Sequence, residues 1–349
     1  MNIFFLLRHL LFATIIFGLS ATITRYLVHH LSIMDIPNER SSHTRATPRG
    51  GGAAIVIAFL TGISLIHLIG DKTPIYTIYF LGFLIALFVI AAISLYDDIH
   101  RCSFKIKLTG QLLAIGIAMS SGIVIDEAHL PWLGFIQWGW WAYPLTFMWI
   151  LGLTNAYNFI DGLDGIAASS AVIAAAFLSL ISFQQGSLFI YLTALTLCAA
   201  TLGFLIFNLQ PAKIFMGDVG STFLGLVFAV MAIIAARYDH SHTSLFVVPL
   251  LLFHFIFDTT FTFLRRLFSG ERVFQAHRTH LYQLMYRFGY SHRKVTAVYS
   301  SLAVIQGISA LELIKIAGEF RVLIFIPFFL VYSVVGIWLV RKAKRQALI

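Results

Sequence analysis

Charged residues are scarce in this sequence. Of its 349 residues, 11% are Asp, Glu, Lys or Arg and 59% are hydrophobic, whereas an ordinary soluble domain has about 25% charged residues. So little polar surface excludes a water-soluble or disordered protein, and the bilayer must be the solvent for most of the chain. The two cysteines, Cys102 and Cys198, lie in a polar and an apolar segment, which argues against a disulfide scaffold and against redox chemistry.

The motifs of several enzyme classes are missing as well. The sequence contains no Walker A motif, Rossmann fingerprint, Gly-x-Ser-x-Gly elbow or His-Glu-x-x-His. It therefore lacks the motifs that are typical of nucleotide hydrolysis, hydride transfer and proteolysis. Repeats, low-complexity segments and a separate soluble domain are also lacking. The net charge of +9 is scattered among apolar runs, which favours membrane topology and attraction to anionic lipid or phosphate over binding of nucleic acid.

Long apolar runs recur through the whole chain. Each has roughly the 20 residues that a helix needs to cross the hydrocarbon core, and a helix satisfies its own backbone there. The runs predict an all-α polytopic membrane protein, with about eleven transmembrane helices in one integral-membrane domain over residues 1–349. The first run is interpreted as an uncleaved helix rather than a signal peptide. The predicted spans are 4–28, 51–69, 75–96, 107–125, 144–160, 164–183, 187–207, 220–237, 243–264, 295–315 and 321–340.

The positive charges predict the orientation of the helices. Most of the 24 Lys and Arg residues fall on one side if the N-terminus is outside, and the positive-inside rule then puts the C-terminus in the cytoplasm. The aromatic cluster between Asp126 and Pro144 falls in an outer loop and is interpreted as an interfacial belt. The inner side collects five polar segments with residue types that an inert connector does not need. They are 29–50, 97–106, 158–165, 208–219 and 265–294.

The first two segments combine arginines with paired acids. Arg45 and Arg49 precede three glycines that open a helix. Glycines permit close backbone approach and a helix N-terminus adds free N–H donors, so this is a candidate anion site, although a basic loop that only fixes topology explains it equally well. Asp97 and Asp98 end an apolar run. Adjacent carboxylates repel each other unless a cation or a shared proton intervenes, which suits metal-assisted phosphate chemistry or proton transfer.

Polar side chains recur at every third position around the third segment. They are Asn155, Asn158, Asp161 and Asp164. On a helix or a 3₁₀ turn, this spacing predicts one face with two amides and two carboxylates, directed at a polar cavity. Such residues within apolar sequence are costly unless they are used, so a functional role is favoured.

The last two segments add a candidate metal ligand and further donors. Asp218 lies between two glycines at the start of an apolar run, where its hard oxygens suit Mg²⁺; the alternative is a simple helix N-cap. His277, Arg278 and His280 offer donors to phosphate oxygens, and the lack of a cysteine or a clear third ligand argues against zinc. Asp258 is expected to be a buried acid paired with a nearby arginine.

In chain order, these motifs resemble the polyprenyl-phosphate N-acetylhexosamine-1-phosphate transferases of glycosyltransferase family 4. The resemblance covers nearly the whole chain, since the order and the predicted membrane side of all five motifs match. The residues of these motifs are most similar to those of the O-antigen-initiating branch. The motifs are Pro37-Asn-x-Arg-Ser-Ser-His43 with Thr47-Pro-Arg-Gly-Gly, Asp97-Asp98, Asn155-x-x-Asn158-x-x-Asp161-Gly-x-Asp164-Gly, Phe215-Met-Gly-Asp218-x-Gly-Ser and His277-Arg-x-His280.

The resemblance implies a reaction and its partners. N-acetylhexosamine 1-phosphate would pass from a UDP-sugar to undecaprenyl phosphate, giving undecaprenyl-diphosphate-sugar and UMP and initiating O-antigen or related cell-envelope polysaccharide synthesis. The implied cofactor is Mg²⁺, with Mn²⁺ as an alternative. The protein would contact membrane lipid and would not bind nucleic acid, and a homodimer is left open. The implied location is the bacterial inner membrane, with the active site on the cytoplasmic face. Direct attack by the lipid phosphate is favoured over a route through an aspartyl phosphate.

The same resemblance implies residue roles. Asn158 and Asp218 would hold the metal. Asp97 would contact the lipid phosphate or take its proton, Asp98 would support it, and Asp161 completes the catalytic set. The implied substrate-binding residues, with Phe215 a candidate to stack on uracil, are Arg45, Arg49, Arg101, Asn155, Asp164, Asn208, Phe215, His277, Arg278 and His280.

Three alternatives stay open on the sequence alone. The peptidoglycan enzyme, phospho-N-acetylmuramoyl-pentapeptide transferase, carries a run of histidines in the fifth loop and a lysine in the first. This chain has Arg278 and Arg45 there, which favours a free UDP-N-acetylhexosamine. Intramembrane acids are also typical of secondary transporters, which would carry internal repeats. A non-catalytic scaffold for polysaccharide assembly would need neither the paired acids nor Asp218.

Overall fold

Helices make up nearly all of the described structure. The computed structural model describes residues 3–37, 45–69, 75–238, 243–273, 275 and 277–349, so positions 38–44 of the first motif, including His43, lie outside it. The helices are α1 (Ile3–His30), α2 (Gly52–Ile69), α3 (Thr77–His100), α4 (Phe104–Ser120), α5 (Ala142–Ile160), α6 (Ile166–Gln184), α7 (Leu188–Asn208), α8 (Gly217–Ile233), α9 (Val247–Leu251), α10 (Phe253–Phe268), α11 (Leu281–Arg287), α12 (His292–Leu313) and α13 (Phe325–Arg345).

Short strands and turns supplement the helices. The antiparallel pairs are β1 (Met34–Asp35) with β2 (Thr47–Pro48), and β3 (Glu127–Leu130) with β4 (Gly134–Gln137). A π-helical turn, Ile234–Tyr238, continues α8, and 3₁₀ turns precede α5 and α13. Of the described helices, seven are long and apolar enough to cross a membrane. The all-α polytopic membrane class is therefore confirmed, while the count of eleven spans and the orientation stay predictions.

Helix α8 is the centre of the bundle. Its side chains are almost all buried, and it packs against α2, α3, α5 and α9. Helices α1 and α13 instead expose most of their apolar side chains, as expected of helices that face lipid. Asp218, in the first turn of α8, therefore lies at one end of the innermost helix.

The predicted span 243–264 is wrong as a single helix. It consists of α9 and α10, which are separated at Leu252, where φ is −113° and ψ is 17°. The N–H groups of Phe255 and Ile256 both donate to the carbonyl oxygen of Leu252, at 3.0 and 3.1 Å, so the backbone turns tightly and stays hydrogen-bonded. Apart from Pro249, residues 246–253 are all apolar, so their composition carries no signal for a break at Leu252.

A small hairpin caps the end of the bundle away from the polar segments. The β3–β4 hairpin was not predicted, since the aromatic belt was the only expectation there. Arg237, at the end of α8, forms ion pairs with Asp126 at 2.8 Å and Glu127 at 2.6 Å. Trp132 and Trp140 are 86% and 88% exposed, as an interfacial aromatic belt requires.

Helices α2 and α8 approach each other so closely that only glycine fits. A Cβ atom on Gly52 would lie 2.3 Å from the Cα atom of Gly220 and 2.8 Å from the carbonyl oxygen of Met216. Overpacking of this kind costs about 1–3 kcal/mol. We expect Gly52→Ala to lower the thermal unfolding temperature in detergent by several degrees and to reduce activity, because α2 carries the chain that holds Arg49.

The matched control is Gly116→Ala in α4. A Cβ atom there meets nothing within 4 Å, and alanine favours a helix interior by up to about 1 kcal/mol over glycine. This variant should unfold at the same or a higher temperature. Equal destabilisation of both variants would contradict close packing of α2 on α8.

Candidate active site

The inner polar segments meet at one end of the bundle. The residues before α2 run beside those before α8: the N–H of Phe215 donates to the carbonyl oxygen of Pro48 at 2.8 Å, and the N–H groups of Gly50 and Gly51 donate to that of Phe215 at 3.2 and 2.9 Å. Gly51 fits this pairing because a Cβ atom there would lie 2.8 Å from the side chain of Ile214, and Gly50 has a φ of +105°, which favours glycine. The pairing brings Arg49 to the start of α8.

Three carboxylates lie together there. Asp97, Asp98 and Asp218 each place an oxygen within 4.8 Å of the others. Asp98 accepts the N–H groups of Asp218 and Val219 at 3.1 and 2.9 Å, so its charge lies against the positive end of α8. Asp97 accepts the N–H of Cys102 at 2.8 Å. The adjacent acids thus have different tasks, because Asp98 anchors α8 while Asp97 lines a cavity.

Two cations join the carboxylates. Arg49 lies 3.0 Å from Asp98 and 2.7 Å from Asp218. Lys107, in the first turn of α4, lies 2.7 Å from Asp97 and 2.6 Å from Asp218. Both cations bridge two acids, and this compensation keeps three carboxylates stable at such short range.

The sequence pattern does not single out Lys107, because it is one of several cations after the acidic pair. Arg101, the substrate-binding candidate nearest that pair, lies apart from the three carboxylates. Its side chain is exposed and donates to the carbonyl oxygen of Met34 at 3.4 Å. Helical spacing from the first turn of α4 is the signal that would have favoured Lys107 over Arg101.

A cavity of about 450 Å³ opens beside the carboxylates. Its wall includes six residues predicted from the motifs, namely Asp97, Asn155, Asn158, Asp218, His277 and His280. It also includes polar residues that were not predicted, namely Lys107, Gln111, Thr222, Arg266 and Gln283. Apolar side chains complete it, among them Ile93, Phe104, Leu108 and Phe263. One cavity therefore joins a charged wall suited to phosphate with an apolar wall at the edge of the membrane.

The every-third-residue pattern forms one face only in its first half. Asn155 and Asn158 lie in the last turns of α5 and line the cavity. Asn155 exchanges hydrogen bonds with Gln111 at 2.9 and 3.3 Å, and Asn158 donates to Ser221 at 2.8 Å and also hydrogen-bonds the Asp218 carboxylate. The prediction of a single four-residue face is wrong, because α5 ends at Ile160.

Asp161 caps the end of α5 and is half-buried. Burial and the charge of Asp218 together raise the pKa of its carboxyl to about 7, and Arg49 opposes the shift. Asp161 is absent from the described cavity wall, so its place in the catalytic set stays a prediction.

Asp164 and Asn208 join loops rather than line the cavity. Asp164 pairs with His292 at 3.0 Å and accepts the N–H of Ala212 at 3.1 Å. Asn208 accepts the N–H of Gly165 at 3.1 Å and donates to the carbonyl oxygen of Ile214 at 2.9 Å. These contacts give both residues a positioning role for the segments around Asp161 and Asp218.

The other implied binding residues do not line the cavity. Arg45 is exposed, and Phe215 is half-buried beside Arg49. Arg278 is half-buried, and its carbonyl oxygen accepts a hydrogen bond from Arg287 at 3.3 Å. Arg45, Phe215 and Arg278 are absent from the described cavity wall, so their contacts with substrate stay predictions.

The loop after α10 rests on a buried acid. Asp258 is 1% exposed, and its carboxylate accepts the N–H groups of Leu281 at 2.8 Å and Tyr282 at 3.2 Å and the hydroxyl of Tyr299 at 2.6 Å. The hydroxyl of Thr262 and His280 Nδ1 also contact it, at 3.2 and 3.3 Å. The expectation of a buried acid is confirmed, but its partners are a histidine, a tyrosine, a threonine and backbone N–H groups rather than an arginine.

Arg266 and Arg265 hold the two halves of the same loop. Arg266 is buried, pairs with Glu271 at 2.8 Å and donates to the carbonyl oxygens of Arg272 and Gln275 at 2.8 and 3.1 Å. Arg265 donates to the hydroxyl of Thr279 at 2.7 Å. The arginine pair thus closes the loop over the cavity and presents its histidines to the interior.

The donor set fits a hard divalent cation. Mg²⁺ takes one or two carboxylates together with phosphate oxygens and waters, and three carboxylates lie within 4.8 Å of one another beside the amide of Asn158. In the described chain, this is the one group of three or more His, Cys, Asp or Glu side chains close enough to share an ion. Asp97 and Asp218 are better placed than Asp98, whose oxygens already accept two backbone N–H groups.

Comparison with known proteins points to one group. Residues 80–236 match the family described as glycosyl transferase family 4. The chain is 34% identical to a probable undecaprenyl-phosphate N-acetylglucosaminyl 1-phosphate transferase of Bacillus subtilis, over 83% of this chain and 80% of the relative.

Two more distant relatives have related names. The decaprenyl-phosphate N-acetylglucosaminephosphotransferase of Mycobacterium tuberculosis is 29% identical over 80% of this chain and 78% of its own. The phospho-N-acetylmuramoyl-pentapeptide-transferase of Lactiplantibacillus plantarum is 29% identical over 75% of this chain and 82% of its own. All of these alignments are long enough to include most of the described carboxylate site.

Proposed function

The chain belongs to the polyprenyl-phosphate N-acetylhexosamine-1-phosphate transferase family, and we propose that its donor is UDP-N-acetylglucosamine and its acceptor is undecaprenyl phosphate. It is a multi-pass membrane enzyme that transfers a sugar phosphate to a polyprenyl phosphate, which sets the transporter and scaffold alternatives aside. The products of the proposed reaction are undecaprenyl-diphosphate-N-acetylglucosamine and UMP. This lipid would initiate a cell-envelope polysaccharide such as O-antigen, at the cytoplasmic face of the bacterial inner membrane.

One observation carries the proposal: Asp97, Asp218 and Lys107 form a charged wall of a cavity whose other wall is apolar, and Arg49 and Asp98 lie next to Asp218 outside that wall. A polyprenyl phosphate has the same two parts, an anionic head and a hydrocarbon chain. The choice of N-acetylglucosamine rests on the names of the relatives from Bacillus subtilis and Mycobacterium tuberculosis.

Direct attack needs little covalent chemistry from the protein. An oxygen of the lipid phosphate forms a bond to the sugar-linked phosphorus, the bond from that phosphorus to the bridging oxygen breaks, and its electron pair leaves with UMP. Phosphoryl transfer of this kind depends on in-line positioning and on neutralised charge. Lys107 supplies positive charge at the cavity wall and Arg49 supplies it beside Asp218, while Asp97 would contact the acceptor phosphate or take its proton.

We further propose that Asp218 and Asn158, with Asp97 adjacent, hold Mg²⁺ or Mn²⁺ together with the donor diphosphate. When bound, the cation would neutralise the charge that develops on the phosphate oxygens. His277 and His280 reach the cavity from the opposite loop and would contact the phosphates or the sugar.

The test is sugar-phosphate transfer by purified protein in lipid. Labelled UDP-N-acetylglucosamine, other UDP-N-acetylhexosamines and UDP-N-acetylmuramoyl-pentapeptide are each supplied with undecaprenyl phosphate. We expect lipid labelling from UDP-N-acetylglucosamine, loss of labelling after chelation with EDTA and recovery with Mg²⁺. Labelling from the muramoyl-pentapeptide donor alone would assign the chain to peptidoglycan synthesis. Full activity after chelation would contradict the metal proposal.

A further inference from the structure

A second groove lies on the other side of α10. Its volume is about 460 Å³, and its walls come from α10 and α13. The lining is almost entirely apolar and includes Phe257, Phe261, Phe329 and Ile337. Because α13 exposes most of its apolar side chains, the groove lies at the surface that faces lipid.

The groove and the catalytic cavity use different faces of α10. Thr259, Phe263 and Arg266 line the cavity, whereas Phe257, Phe261 and Leu264 line the groove. Residues three and four apart share one side of a helix, so the helix itself separates the two spaces. A phosphate in the groove would therefore be separate from the acceptor phosphate proposed for the cavity at Asp97.

One end of the groove is cationic. Arg265, Arg341 and Lys344 line it there, and no acid is among the described residues of its wall. Arg265 immediately precedes Arg266 of the catalytic cavity, so the cationic end lies at the same membrane face as the active site. Apolar walls that end in three cations match the shape and charge of a lipid with an anionic headgroup.

Arg265 has unused hydrogen-bonding capacity in this position. One terminal nitrogen donates to the hydroxyl of Thr279 at 2.7 Å, whereas Nε is buried and has no partner in the described structure. The Thr279 hydroxyl lies 3.1 Å from Nδ1 of His277, which lines the catalytic cavity. A single guanidinium thus connects the groove to a histidine of the active site.

We propose that the groove binds one anionic phospholipid, with an acyl chain between α10 and α13 and the headgroup phosphate at Arg265, Arg341 and Lys344. The phosphate steadies Arg265 and, through Thr279, the loop that carries His277. Anionic phospholipid in the same leaflet therefore promotes transfer without entering the catalytic cavity. The activating effect rests on the proposed function, but binding of the phospholipid does not.

The experiment compares adjacent charges in α13. Lys344 lines the groove, whereas Arg345 is exposed in the same turn and does not line it. Wild type, Lys344→Gln, Arg345→Gln and Ser333→Phe, which fills the groove without a change of charge, are placed in nanodiscs of phosphatidylcholine with increasing phosphatidylglycerol. Native mass spectrometry counts the retained phosphatidylglycerol, and transfer is measured in parallel.

We expect phosphatidylglycerol to bind and to activate the wild type and Arg345→Gln alike. Lys344→Gln should need about fivefold more phosphatidylglycerol for half-activation, the effect of one cation near an anionic surface, and Ser333→Phe should lose the activation. Equal behaviour of Lys344→Gln and Arg345→Gln in binding would overturn the site. If Lys344→Gln or Ser333→Phe raised the KM for undecaprenyl phosphate in pure phosphatidylcholine, the proposal would also be overturned, because the groove would then bind the acceptor. If neither the wild type nor any variant transfers sugar phosphate, the count of retained phosphatidylglycerol alone tests whether the groove binds the phospholipid.

Discussion

Replacement of Asp218 by Asn is expected to lower sugar-phosphate transfer by about a hundredfold or more, the scale at which loss of one preorganised charged or polar group acts on a transition state. The substitution keeps the shape of the side chain. It removes the charge that Arg49 and Lys107 share, and with it the hard oxygen best placed at the cavity for a cation. The measurement is kcat and KM for both substrates over a range of Mg²⁺ concentrations.

The pattern of the loss matters as much as its size. If Asp218 serves metal binding, Asp218→Asn should require much more Mg²⁺ for its residual activity, and its thermal stability should no longer rise with Mg²⁺. The matched control is Asp126→Asn, which removes an ion-paired acid at the hairpin end of the protein and should leave transfer unchanged. If Asp218→Asn needed the same Mg²⁺ concentration for its activity as the wild type, Asp218 would not be a metal ligand.

The sequence is most informative about residues whose chemistry conflicts with their surroundings. Asp97, Asn155, Asn158 and Asp218 interrupt apolar sequence, where polar groups are costly unless used, and the fold brings all four to one cavity. The class of fold was likewise predictable from apolar runs alone, because the length of a membrane helix is set by the bilayer.

Contacts between distant segments could not be predicted in the same way. Lys107 lies among other cations, and only the packing of α4 beside α3 places it between Asp97 and Asp218. Asp164 has the motif spacing of a cavity residue, but the end of α5 turns it towards His292. The sequence spacing describes a helix, and it loses its meaning where the helix stops.

Replacement of Asp258 by Asn is the second change with a large expected effect. The carboxylate accepts hydrogen bonds on both oxygens: Leu281, Thr262 and His280 contact Oδ1, and Tyr282 and Tyr299 contact Oδ2. An amide would direct an NH₂ group at donors on one side, whichever way it turns, and an unsatisfied buried donor costs about 1–3 kcal/mol. We expect a clear loss of thermal stability together with a loss of activity.

The activity loss should act through His280. Asp258 lies at Nδ1 of that ring, and a carboxylate in this position orients an imidazole and fixes which nitrogen is protonated. Carboxylates that orient histidines in metal sites contribute roughly tenfold to a hundredfold, and we expect kcat/KM to fall within that range. Tyr299→Phe is the milder comparison, because it removes one hydroxyl donor and leaves the carboxylate beside His280.

A double-mutant cycle separates positioning from general destabilisation. If Asp258 acts by orienting His280, then Asp258→Asn should lower kcat/KM in the wild type but add little in a His280→Ala background, since coupled residues are not additive. All variants are measured at a temperature where each is folded, so that differences in kcat/KM do not come from unfolding. Equal losses in both backgrounds would show that Asp258 supports the loop as a whole, in which case the anchoring of Leu281 and Tyr282 rather than the histidine ring would be its contribution to transfer.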